Sequence, residues 1–158
     1  MEKQEKNIRQ LFSHLKERMG GLPLEEKNFP EQKYRFCWIT NADIYEVFQV
    51  HDCLYFCVAT EKNVEQDELK LLKLLNWLNG YSYYGTFTLA KSARKVSLEQ
   101  THFTYSDYEL GVLLSFFDNM YKRMTLYYLS SDFVFKDGLD VEDAVDKATQ
   151  QINLSVRQ

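Results

Sequence analysis

The 158-residue sequence predicts one α+β domain, an antiparallel sheet packed by helices in the order α-βββ-α-ββ-α, with a further helix at the C-terminus. Three observations lead there. Short strand-like runs bounded by turn residues, alternating apolar and polar over 34–38 and 44–50 and apolar throughout over 53–59, are followed by a second such pair over 83–103. Apolar residues recur at three- and four-residue spacing before, between and after those runs, the pattern of amphipathic helices. Finally, 158 residues suit one domain better than two, and no low-complexity tract, internal repeat or linker divides them.

The first helix is expected over 2–18, where Ile8, Leu11, Phe12 and Leu15 share a face. Gly20-Gly21 ends it, and Pro23 and Pro30, the only prolines, keep the next stretch irregular. Three strands follow as a meander. In 34–38, Tyr34, Phe36 and Trp38 share one face and Arg35 and Cys37 the other. Asn41-Ala42-Asp43 is a turn signal, and 44–50 alternates again, with Glu46 on the side of Ile44 and Phe48. His51-Asp52 serves as a two-residue link to Cys53–Ala59, whose apolar run reads as an interior strand.

A second helix is expected over 65–79. Leu71, Leu75 and Leu78 form its stripe, Leu72, Leu74 and Trp77 widen it, and Glu65, Asp67 and Glu68 suit the positive end of its dipole. Asn79-Gly80 is the stop. Residues 83–90 and 95–103 form a hairpin turned by Lys91-Ser92-Ala93-Arg94, with a bulge or early end where alternation fades after Leu98. Ser106 and Glu109 match a capping box, opening a long helix to about Leu129. The short apolar run Phe133–Phe135 and a weaker helix over 140–152 close the chain. The domain proper is placed at 1–130, with 131–158 as a helical appendage of it.

The formal charge of -4 lacks the basic footprint of a dedicated nucleic-acid binder. The charged N-terminus shows no apolar signal region, and no stretch is long and apolar enough to span a bilayer, so a cytoplasmic location is expected with no membrane partner. Cys37, Cys53 and Cys57 are odd in number and not in Cys-x-x-Cys spacing, which favours small apolar side chains over metal or redox work. No phosphate loop, dinucleotide fingerprint or nucleophile elbow is present, and His14, His51 and His102 stand far apart. No cofactor and no catalytic residue is expected.

The element order, together with Leu75-Asn76-Trp77-Leu78-Asn79 ahead of a hairpin and a long apolar helix, resembles the YbjN-like family, which has the type III secretion chaperone-like fold. The resemblance spans about 5–130. The family's second hairpin often turns through acidic and glycine residues, whereas this one carries Lys91, Arg94 and Lys95. The resemblance implies a small non-catalytic module, often dimeric, that binds or escorts other proteins.

Three functions follow as expectations. The leading one is a chaperone-like or regulatory module, forming a homodimer, that binds a client through the sheet edge or the aromatic long helix, with Phe116, Tyr121, Tyr127 and Tyr128 as contact residues. The second is a small intracellular enzyme with a site near Asp43, Glu46, His51 and Asp52. The third is a nucleic-acid-associated module using the basic tip at Lys91, Arg94 and Lys95. For Asn76 and Asn79 the favoured reading is structural: they satisfy backbone groups where the helix meets the next strand.

Overall fold

A computed structural model describes residues 6, 7, 9–11, 13, 14, 17, 24–26, 33–39, 43–50, 53–80, 85–103 and 109–156. The described N-terminal residues, between 6 and 17, are helical and form α1, whose Leu11 is fully buried. Six antiparallel strands follow in one sheet: β1 (Leu24–Glu26), β2 (Lys33–Ile39), β3 (Asp43–Val50), β4 (Cys53–Thr60), β5 (Thr86–Ala90) and β6 (Lys95–Phe103). The spatial order is β1-β2-β3-β4-β6-β5. Three further helices complete the chain, α2 (Glu68–Gly80), α3 (Leu110–Phe135) and α4 (Val141–Val156). This is the α+β architecture that the sequence predicts.

The strand pattern decides which face meets the helices. β4 lies between β3 and β6, and its burial alternates strictly along its length. Leu54, Phe56 and Val58 point to the helices with Tyr45 and Val47 of β3, Val96 and Leu98 of β6 and Phe87 of β5. Leu113, Phe117, Met120, Met124 and Tyr127 of α3 cover them, with Tyr45 and Phe117 ring centroids 5.6 Å apart and Phe87 and Tyr127 5.9 Å apart. α2 buries Leu71, Leu74, Leu75 and Leu78, each worth about 1.5–3 kcal/mol of transfer free energy. α4 packs through the small residues Ala144, Val145 and Ala148.

Several expectations are corrected. The stretch after Pro23 contains β1, because three residues there find partners in Phe36, Cys37 and Trp38. The register irregularity lies between Lys33 and Phe36 of β2, whereas β6 runs in unbroken register with β4 from Ser97 to Phe103. Alternation fades in β6 only because the polar Gln100 and His102 occupy the helix-facing positions, opposite Phe56 and Leu54. α3 begins at Leu110, with Glu109 at its N-cap and no side-chain capping bond, and Ser106 lies outside the described residues. The same helix continues past Leu129 and the boundary drawn at residue 130 to Phe135, since Ser130 and Ser131 sit on its buried side beside Val134. α2 starts at Glu68, where the carboxylate of Asp67 accepts the Lys70 backbone N–H at 2.9 Å. Leu72 and Trp77 do not widen its buried stripe and stay partly exposed.

The cysteine reading is consistent with the register. Cys53 and Cys57 lie four residues apart on β4, about 13 Å along a strand. Cys37 and Cys57 are separated by β3, since both pair with Glu46, a span of roughly 9–10 Å. Neither separation permits a disulfide without backbone movement, and all three are free thiols.

Candidate functional site

Two polar clamps fix the ends of the elements around the sheet. Asn79, in the last turn of α2, reaches the outer edge of β5. Its Nδ2 donates to the Phe87 carbonyl at 2.9 Å and its Oδ1 accepts the Phe87 N–H at 2.7 Å. An amide side chain, with one donor and one acceptor, thus replaces a neighbouring strand at that residue. Asn76 by contrast is exposed and does not share this role. Arg123 of α3 is buried. It donates through Nη2 to the Leu78 carbonyl at the C-terminal end of α2 (2.9 Å) and through Nη1 to the Gly85 carbonyl, and its guanidinium stacks 4.8 Å above the Phe87 ring. A cation there meets the negative end of the helix dipole. Burial lowers its pKa to about 10, so it stays charged near neutrality. Gly85 has φ of +74°, and a Cβ there would lie 3.0 Å from the Glu99 carbonyl oxygen.

The basic hairpin tip is a third clamp. Arg94 takes a left-handed backbone, φ +45°. Its carbonyl accepts the Val64 N–H at 2.6 Å, its Nε donates to the Val64 carbonyl at 2.9 Å, and its Nη2 donates to the Gln66 carbonyl at 3.0 Å. Lys91 and Arg94 both approach the Glu68 carboxylate, at 3.6 and 3.8 Å. Arg94 therefore shapes the β4–α2 loop, and of the three tip cations only Lys95 has no part in it.

That loop forms one wall of an open cleft of about 880 Å³. The wall runs from Thr60 to Gln66, and the opposite wall comes from Tyr127, Tyr128, Ser131 and Asp132 of α3. Behind it, the Tyr128 hydroxyl donates to the Asp43 carboxylate on β3. Asp43 is buried, and desolvation raises its pKa while the Tyr128 bond pulls it part of the way back. Desolvation also raises the Tyr128 and Tyr45 hydroxyls, and it pushes Tyr127 up to about 12 against the lowering effect of its hydrogen bond with Ser131. These phenols keep their protons near neutrality, and the Tyr128 and Tyr127 hydroxyls are engaged by Asp43 and Ser131.

The residues proposed for a contact surface divide among three environments. Tyr127 is only 2% exposed and belongs to the core, while Tyr128 is half-buried at the cleft. Tyr121 is 51% exposed. Phe116 lies in an aromatic cluster at the other end of α3, stacked on the His102 ring at 3.7 Å and edge-on to Phe56 at 6.0 Å. Of the residues of the enzymatic reading, the two that are described, Asp43 and Glu46, lie on opposite faces of β3. Asp43 faces the helices with Tyr45 and Val47, and His51 and Asp52 are outside the described residues. Among the described residues, no group of three His, Cys, Asp or Glu side chains could hold a metal ion. No described helix is long and apolar enough to cross a membrane.

No protein-family profile matches the chain, and neither does any curated protein. Among solved structures it is similar to the crystal structure of YbjN, a candidate transcription regulator from E. coli. The TM-score is 0.59, the identity 11%, and the match covers 80% of this chain and 90% of that one. The chain has the fold of YbjN. At that identity the likeness concerns the fold, and the Asn79, Arg94 and Arg123 clamps show how this sequence holds it. Sequence reasoning found Asn79 by its place at a helix stop. It missed Arg123, whose signal was a cation three residues after Met120 and next to Met124, at helical spacing with the apolar face of α3.

Proposed function

We propose that this chain is a YbjN-like, non-catalytic regulatory module that binds a segment of another protein in the cleft between the β4–α2 loop and α3. The observation that carries this reading is the cleft itself. It is open and mixed in character, and hydrogen bonds from Tyr128 and Arg94 hold its framework. Asn63, Asp132 and the loop backbone offer polar contacts, and the half-buried Tyr128 ring offers apolar area, the combination that protein-recognition surfaces favour. A regulatory role fits the description of YbjN as a candidate transcription regulator. Binding to the outer edge of β5 is disfavoured, because Asn79 already occupies the Phe87 groups that an added strand would need.

The test is site-specific photocrosslinking in cells. A photoreactive residue at Asn63, exposed on the cleft wall, should form an adduct with one protein in reproducible yield, while the same residue at Ser92 on the hairpin tip should not. Identical adducts at both positions, or none at Asn63, would overturn the proposal.

A further inference from the structure

The client cleft carries acidic groups on both walls. Glu61 and Glu65 stand on the loop wall and Asp132 on the α3 wall, against Lys62 on the loop. Glu61 and Glu65 are exposed and make no ion pair among the described residues. Asp132 is held by Lys136 at 3.0 Å, an exposed pair one helical turn apart that water screens. The nearest guanidinium, Arg94, is committed to the Val64 and Gln66 carbonyls and to Glu68. Gln66 adds a neutral acceptor. Its Oε1 is buried in the lining and accepts no hydrogen bond among the described residues, which is costly unless a donor meets it. By contrast, a groove of about 570 Å³ between α2 and the start of α4 mixes Lys70 and Lys73 with Asp67, Asp140 and Glu142, and dictates no sign for an occupant.

We infer that the cleft takes a positively charged segment of its client. The inference rests on the reading of the cleft as a protein-binding site and names the chemistry of what enters it. A cation there meets carboxylates from both walls, and its N–H groups supply the donor that Gln66 Oε1 lacks. Arginine suits the site best. Its planar guanidinium carries donors enough for a carboxylate and an amide oxygen together, and it packs on an aromatic ring such as the half-buried Tyr128.

The test uses the full chain with a photoreactive residue at Asn63 and two fluorescent short peptides, one rich in arginine and one with citrulline, its neutral isostere, at the same positions. The arginine peptide should crosslink at Asn63, and anisotropy at low salt should show it bound at least about threefold more tightly than the citrulline peptide. Glu61→Gln with Glu65→Gln should weaken the arginine peptide by about threefold or more. Glu17→Gln with Glu99→Gln removes the same charge at exposed sites outside the cleft, and should leave binding within about twofold of the wild type. Equal binding of the two peptides, or equal loss in the two double variants, would overturn the inference while leaving a protein-binding cleft in place. Absence of any peptide adduct at Asn63 would overturn it as well, and the in-cell crosslinks at Asn63 then show separately whether the cleft holds another kind of segment.

Discussion

Arg123 is the side chain on which the junction of α2, β5 and α3 most depends. It is 6% exposed and donates to two main-chain carbonyls, those of Leu78 and Gly85. Arg123→Met removes the charge while keeping much of the bulk, and leaves both acceptors without that donor. A loss of roughly 2–4 kcal/mol is expected from urea unfolding, because buried acceptors deprived of a charged donor cost more than an average hydrogen bond. Asp43 makes a prediction of the opposite sign. Burial raises its folded pKa above the ordinary carboxylate value of 3.8, so the native state holds that proton more tightly than the unfolded chain does. Its contribution is then most favourable at low pH and is lost as pH rises through the folded pKa. Asp43→Asn keeps an acceptor for the Tyr128 hydroxyl and carries no charge. It should therefore gain stability relative to the wild type as pH rises from about 4 through the folded pKa of Asp43, and a difference independent of pH would contradict the assignment. At this scale the sequence was partly legible. Asn79 announced itself by its place before Gly80, whereas the Asp43–Tyr128 bond joins residues 85 positions apart and left no local trace.

Among the elements, β5 shows how a helix end can finish a sheet. The two bonds from Asn79 occupy the outward groups of Phe87. Asn79→Ala should cost about 1–3 kcal/mol, the range for leaving a partly buried polar pair unmet, and should also uncover the sheet edge. Light scattering on heating is the check. The variant should aggregate at lower temperature than Asn79→Asp, which still accepts the Phe87 N–H. The α3–α4 contact makes a separate prediction. Ala148 is fully buried where the two helices approach, so Ala148→Leu should overpack it and destabilise by about 1–3 kcal/mol. Periodicity revealed β3 and α2 because each buries a single regular face, and β4 showed itself by its unbroken apolar run. It placed the end of α3 too early because Ser130 and Ser131 look like a break in sequence. In the structure Ser130 is fully buried and Ser131 nearly so, on the same side as Val134.

At the scale of the whole molecule, charged and amide side chains at Arg94, Arg123 and Asn79 lock the frame, and two concave surfaces lie on either side of the start of α2. The cleft was only half legible. The tyrosines of α3 stand out in the sequence, but the facing wall depends on Arg94 gripping Val64 and Gln66, about thirty positions away, from a tip that reads as a solvated basic turn. The central claim is that the cleft binds a protein segment and performs no chemistry. The most direct test is a calorimetric titration of the protein crosslinked at Asn63 against the purified wild-type chain and against Asn63→Trp, which places a bulky ring in the cleft. The account predicts one partner segment bound per chain by the wild type, at least about tenfold weaker binding by the variant, and unchanged unfolding of the variant in urea. Equal affinity for both chains would contradict it.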